Sequence, residues 1–145
     1  MYILVSGGFD PLHSGHINMF KAATRIGKLL VAVNSDDFLI RKKGTFLLPR
    51  QERAHIISNL TSVFSVYERW EDPDDSTVDI LNKFRLEFPN DVLFFGNGGD
   101  VVESKAKLLE AEACKTNNIY RLYGLGGGKT ASSSDFYADS LLRMK

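Results

Sequence analysis

Apolar residues arrive along this chain in two alternating patterns. Short apolar-rich runs cover residues 2–6, 29–34, 64–67, 92–95 and 119–123, the most continuous stretches being Ile3-Leu4-Val5 and Leu29-Leu30-Val31-Ala32-Val33. A run apolar at every position has both of its faces covered, as in a buried parallel strand. Between the runs the spacing becomes helical. Ile17, Phe20 and Ala23, with Met19 and Ile26, predict a helix beginning near His16 and stopping by Gly27. Pro49 opens a second helix with Ala54, Ile57 and Leu60 on one face, joined by Ile56 and Val63. Residues 36–48 read as a loop or a short helix carrying the basic knot Arg41-Lys42-Lys43-Gly44. Ser76 with Asp79 three residues on resembles a cap pair for a helix bearing Ile80, Leu81 and Phe84. A further helix is expected over about 103–116. Ser132-Ser133-Ser134-Asp135 cap a last one running to about Arg143.

Strands alternating with helices predict an α/β fold: a doubly wound, five-stranded, mainly parallel sheet with helices on both faces. In such sheets ligands sit beyond the carboxyl ends of the strands, near a reversal of strand order. Residues 7–16, 34–37, 96–100 and 124–134 follow four of the strands. They hold most of the glycines and chemically capable side chains, so they point to one shared site.

Composition narrows the partners. With 145 residues the chain is read as a single domain, 1–145, long enough for a real core. It carries 18 Lys plus Arg against 18 Asp plus Glu, a formal charge of zero. A general nucleic-acid or anionic-membrane partner is therefore not expected, since both call for a basic excess. Anion binding must come from a few placed groups. Cys114 is the only cysteine, so no intrachain disulfide can form. With the absence of a signal-peptide pattern and of any long apolar span, this predicts a cytoplasmic protein.

Residues 8–16 carry the most specific chemistry: Gly-Phe-Asp-Pro-Leu-His-Ser-Gly-His. They follow the first strand and open the first helix, whose unsatisfied N–H groups attract phosphate. His13 and His16 add two donors, while Gly7, Gly8 and Gly15 let the backbone approach a ligand. A zinc set of Asp10, His13 and His16 fits less well, because the histidines are closer than the i, i+4 pair of a helical zinc motif.

This run resembles the signature of the HxGH nucleotidylyltransferase superfamily, the cytidylyltransferase-like group. Val31–Asp36, Lys42–Gly44, Arg53, Gly98–Asp100 and Ser132–Ser134 fall where such enzymes have related segments. Within that group the resemblance is to small glycerol-3-phosphate cytidylyltransferases and heptose-phosphate adenylyltransferase domains. It implies a Rossmann-like fold and transfer of a nucleotidyl group from CTP or ATP to a phosphorylated sugar or polyol, with release of pyrophosphate. It further implies His13, His16, Lys43 (or Lys42) and Arg53 as catalytic groups. Gly7, Gly8, Phe9, Asp10, Gly15, Gly98, Asp100, Lys129, Ser132, Ser133 and Ser134 would bind the nucleotide. Magnesium would be carried mainly on the triphosphate, with no protein metal ligand named, and a homodimer is expected.

One segment departs from the pattern. Glycerol-phosphate-type relatives have an Arg-Thr pair and then Glu-Gly-Ile-Ser before the last helix. This chain has Gly127-Gly128-Lys129-Thr130-Ala131-Ser132, and Lys129 is the candidate for the missing charge. Gly128-Lys129-Thr130 ends like a P-loop, but Tyr123 stands where that motif needs its first glycine. Two alternatives follow: a nucleotide-binding subunit without catalysis, or an adenylyltransferase acting on a cofactor-precursor phosphate.

Overall fold

The computed structural model describes residues 1–98, 104–127 and 143. In chain order the elements are β1 (Tyr2–Gly7), α1 (Ser14–Thr24), β2 (Lys28–Val33), α2 (Asp36–Lys43), α3 (Arg50–Ser58), β3 (Val63–Tyr67), α4 (Val78–Glu87), β4 (Leu93–Gly96), α5 (Lys105–Thr116) and β5 (Tyr120–Leu122). The strands form one sheet in the order β3-β2-β1-β4-β5, and every neighbouring pair is parallel. The chain first winds outward from β1 through β2 to β3. It then crosses back to place β4 on the other side of β1, so strand order reverses between β1 and β4.

The continuous apolar strands are explained by the two cores they divide. Ile3, Val5, Leu29, Val31 and Val33 face α1 and α3, meeting Phe20, Ala23, Ala54 and Ile57. Leu4, Leu30, Ala32, Leu93 and Phe95 face the other way, against Ile80, Leu81 and Phe84 of α4 and Ala113 and Cys114 of α5. Phe20 and Phe84 are fully buried. Each such side chain stabilises the fold by about 1.5–3 kcal/mol relative to exposure.

Local chemistry sets the element ends. The stretch read as loop or short helix is helical: the Ser35 hydroxyl accepts the Phe38 N–H at 3.0 Å, and Gly44, at φ 83°, closes the C-terminus. Arg41, Lys42 and Lys43 form its last turn, where positive charge complements the helix dipole. Gly27 lies beyond the end of α1 and serves a close approach, since a Cβ there would stand 2.7 Å from the Met1 carbonyl oxygen.

The expected pairing of Ser76 with Asp79 is corrected. Thr77 holds the cap position of α4, and the Ser76 hydroxyl donates to Asp74 at 2.7 Å. The Asp79 carboxylate instead accepts the Glu71 N–H at 2.7 Å and the Lys83 ammonium at 2.9 Å. Of the helix expected over 132–143, only Arg143 lies among the described residues.

Candidate active site

The first strand delivers Gly7 and Gly8 to the carboxyl edge of the sheet, and Phe9 turns the chain there at φ 53°. A non-glycine residue in that region is strained by about 1–2 kcal/mol. Burial of the ring offsets the strain: Phe9 is 4% exposed, with Phe20 at 5.5 Å and the His16 ring edge-on at 4.9 Å. Gly7 has no room for a side chain, because a Cβ would stand 2.9 Å from the Phe9 ring.

The two histidines cap the helix they open. His13 Nδ1 accepts the Gly15 N–H at 3.1 Å, and His16 Nδ1 accepts the His13 N–H at 3.1 Å. Two imidazoles thus reproduce the reciprocal capping box usually made by Ser or Thr with Glu. Their rings stack at 3.7 Å with 26° between planes. The chemical consequence is a fixed tautomer. A nitrogen that accepts a backbone N–H carries no hydrogen, so each neutral ring holds its proton on Nε2. Each ring thus keeps its donor hydrogen on Nε2, the His13 Nε2 being buried, and both side chains are locked against the first turn of α1.

The Asp10 and Arg53 side chains are both engaged by the scaffold. Asp10 is wholly buried, and its oxygens accept the Leu47 N–H at 2.7 Å and the Leu48 N–H at 2.9 Å. The zinc reading therefore loses its carboxylate, and among the described residues no group of three or more His, Cys, Asp and Glu side chains gathers for a metal. Arg53, expected to meet the acceptor or the phosphates, has its guanidinium inside the protein. Its Nε donates to the Leu48 carbonyl, its Nη1 to the carbonyls of Gly8 and Asn34, and its Nη2 to Asp36 Oδ1, all within 2.6–2.8 Å. Four of its five N–H donors are spent on the scaffold, so Arg53 braces the motif loop against α2 and the chain beyond it.

Several structural roles were not foreseen from the sequence. Asp72, buried at the carboxyl side of β3, accepts the Asn34 amide at 3.1 Å, the Ser35 N–H at 2.8 Å and the Ser35 hydroxyl at 2.5 Å. Arg41 of α2 donates to the Asp72 carbonyl at 2.6 Å and to Asp75 at 2.9 Å. Arg50 lies over the buried Trp70 ring at 5.2 Å and donates to the Val33 carbonyl. Burial holds its guanidinium below its ordinary pKa, against the opposing pull of Asp72.

A wall beside the histidine loop comes from the ends of β4 and β5. Asn97 and Leu122 join the strand ends through a 2.8 Å backbone bond, and the Leu125 N–H donates to the Asn97 carbonyl at 3.1 Å. A Cβ on Gly98 would lie 2.7 Å from the Met19 sulfur. One on Gly126, at φ 79°, would lie 2.9 Å from the Met19 backbone nitrogen. These small residues bring the wall onto α1, three residues past His16. Lys42 and Lys43 occupy the last turn of α2, with the Lys42 ammonium 5.7 Å from the Phe38 ring. Asp100, Lys129, Ser132, Ser133 and Ser134 lie outside the described residues.

The parallel sheet reverses at β1/β4, and the histidine pair caps the helix that follows β1 at that edge. The chain belongs to the cytidylyltransferase-like family, whose model matches residues 4–136. It is 32% identical over 130 residues to the bifunctional protein HldE of Pasteurella multocida, covering 81% of this chain and 26% of that protein. To the HldE protein of Syntrophotalea carbinolica it is 38% identical over 110 residues, covering 70% and 22%. The chain thus spans about a quarter of the length of the curated relatives it matches. A lipopolysaccharide core biosynthesis protein from Thermoplasma volcanium shares the fold, with a TM-score of 0.61 and 23% identity over 89% of this chain and 98% of that one.

Proposed function

We propose that the chain transfers a nucleotidyl group from ATP or CTP to a phosphorylated sugar or polyol and releases pyrophosphate. The observation that carries this reading is the histidine pair, capped through both Nδ1 atoms and so committed to donating from Nε2. In the proposed step, an oxygen of the acceptor phosphate attacks the α-phosphorus of the triphosphate. The bond to the bridging oxygen breaks, and its electron pair leaves with pyrophosphate. No side chain need act as base, because a phosphate monoester loses its second proton near pH 6. The barrier lies in bringing two anions together and in the charge that develops on the transferred group. Preorganised donors serve both needs.

His13 and His16 would stabilise the pentacoordinate phosphorus, and a lysine of α2 would bridge the two anions. Magnesium enters with the triphosphate, as an ion that keeps several waters and needs few protein ligands. The resemblance of Gly98-Gly99-Asp100 to heptose-phosphate adenylyltransferase domains, beside the HldE similarity, makes ATP with a sugar phosphate the first pair to test.

The test is a screen of pyrophosphate release with magnesium, each nucleoside triphosphate, and a panel of phosphorylated sugars and polyols. Release that requires one triphosphate and one acceptor together is expected. Tight nucleotide binding with no release from any pair would favour a nucleotide-binding subunit without catalysis.

A further inference from the structure

The α2 helix is eight residues long, and Leu39 is its only buried residue. A helix this short does not hold itself in water, so the direction of its lysines depends on what ties it down. Three ties run to the loop that carries the histidines. Leu39 packs so closely on Gly8 that a Cβ there would lie 2.6 Å from its methyl carbon. Arg53 links the Gly8 carbonyl to Asp36, the first residue of α2. Asp10 grips the chain just beyond the helix, at the Leu47 and Leu48 amides. In that last segment the Leu47 side chain is 57% exposed and gives no anchorage of its own. The Asp10 carboxylate and the Arg53 bond to the Leu48 carbonyl hold its backbone.

Building on the nucleotidyl-transfer reading, we propose that Asp10 is a positioning residue. Its two bonds to the 47–48 amides set how the Lys42 and Lys43 turn meets the histidine pair, so the motif loop and the lysine helix act as one unit. Both carboxylate oxygens face backbone donors of this segment. Asp10 therefore acts on the reaction through the lysines.

The test is Asp10→Asn, which keeps the shape but turns one acceptor into a donor facing an N–H. Amide hydrogen exchange at Leu47 and Leu48 is expected to quicken by about tenfold or more, as expected when a local tie is released. The rate of pyrophosphate formation at saturation is expected to fall by about tenfold or more, with the KM for ATP or CTP changed by less than about threefold. In a Lys42→Ala/Lys43→Ala background the same substitution is expected to have almost no further effect, because the residues it positions are gone. Leu47→Pro, which deletes one amide donor and leaves Asp10 intact, should reproduce the loss if Asp10→Asn does not fold. A rise in nucleotide KM at unchanged maximal rate, or a full Asp10→Asn loss without the lysines, would overturn the proposal. Exchange at Leu47 and Leu48 needs no turnover, and unchanged protection there would overturn the tie itself. Absence of turnover in the unaltered protein would instead refute the nucleotidyl-transfer reading and leave exchange as the judge of the tie.

Discussion

The capping role of His13 and its proposed chemical role can be separated by one substitution. In His13→Asn the amide oxygen can still accept the Gly15 N–H, because asparagine is a good N-cap, but no Nε2–H remains. The denaturation midpoint is expected to stay within a few degrees, while turnover falls by about 100- to 1000-fold, the usual loss for one preorganised donor. A parallel fall in both would assign His13 to structure alone. Cys114 gives a second residue-scale prediction. Burial, only partly opposed by Arg121, pushes its thiol up to about 11. Alkylation at pH 8 should be slow in the folded protein and fast in urea. Residue roles were unevenly legible in the sequence. The histidine pair carries its spacing openly. Arg53 does not, because three of its four acceptors are backbone carbonyls 5, 19 and 45 residues away, and a carbonyl leaves no mark on sequence.

Among the elements, α2 was the hardest to read. With one buried side chain it shows no apolar stripe, and its stability comes from ends and partners instead. The Ser35 hydroxyl accepts the Phe38 N–H and donates to the buried Asp72 carboxylate. Ser35→Ala removes a cap and deprives that carboxylate of one of its donors, so urea unfolding should show a loss of about 1–3 kcal/mol. A loss below about 0.5 kcal/mol would mean that Asp72 does not depend on this hydroxyl. The α4 start misled for a related reason. Ser76 and Asp79 have suitable spacing, but tertiary partners claim them: Asp74 holds the Ser76 hydroxyl, and Asp79 takes the Glu71 N–H. The strands were clearer, because continuous apolar runs follow directly from having helices on both faces.

At the scale of the whole molecule, strand alternation foretold a parallel sheet and a site at its carboxyl edge, while strand order could be seen only in three dimensions. The reversal between β1 and β4 places the histidine loop beside the β4–β5 wall. Stability should decline at both ends of the pH scale. The Ser76 hydroxyl holds the Asp74 carboxyl below its ordinary value. Desolvation would raise Asp79, but the Glu71 N–H and Lys83 outweigh it and hold that carboxyl low as well. Such carboxylates stabilise the fold above about pH 4 and lose that effect as pH falls through their lowered values. The raised Cys114 acts in the opposite range. Its neutral thiol suits the folded state, and stability is lost as pH rises from about 9 to about 11. Urea midpoints across pH should therefore form a plateau with a shoulder on each side, and a profile flat below pH 4 would contradict the carboxylate account.

The central claim is that the α-phosphorus is the one attacked, and the fate of isotopic label tests it most directly. The protein is incubated with magnesium, the phosphorylated acceptor identified in the screen, and triphosphate labelled at either the α or the γ phosphorus. The account predicts that α-label appears in the acceptor product and γ-label in pyrophosphate. Appearance of γ-label in the acceptor, or of α-label in nucleoside diphosphate, would contradict it.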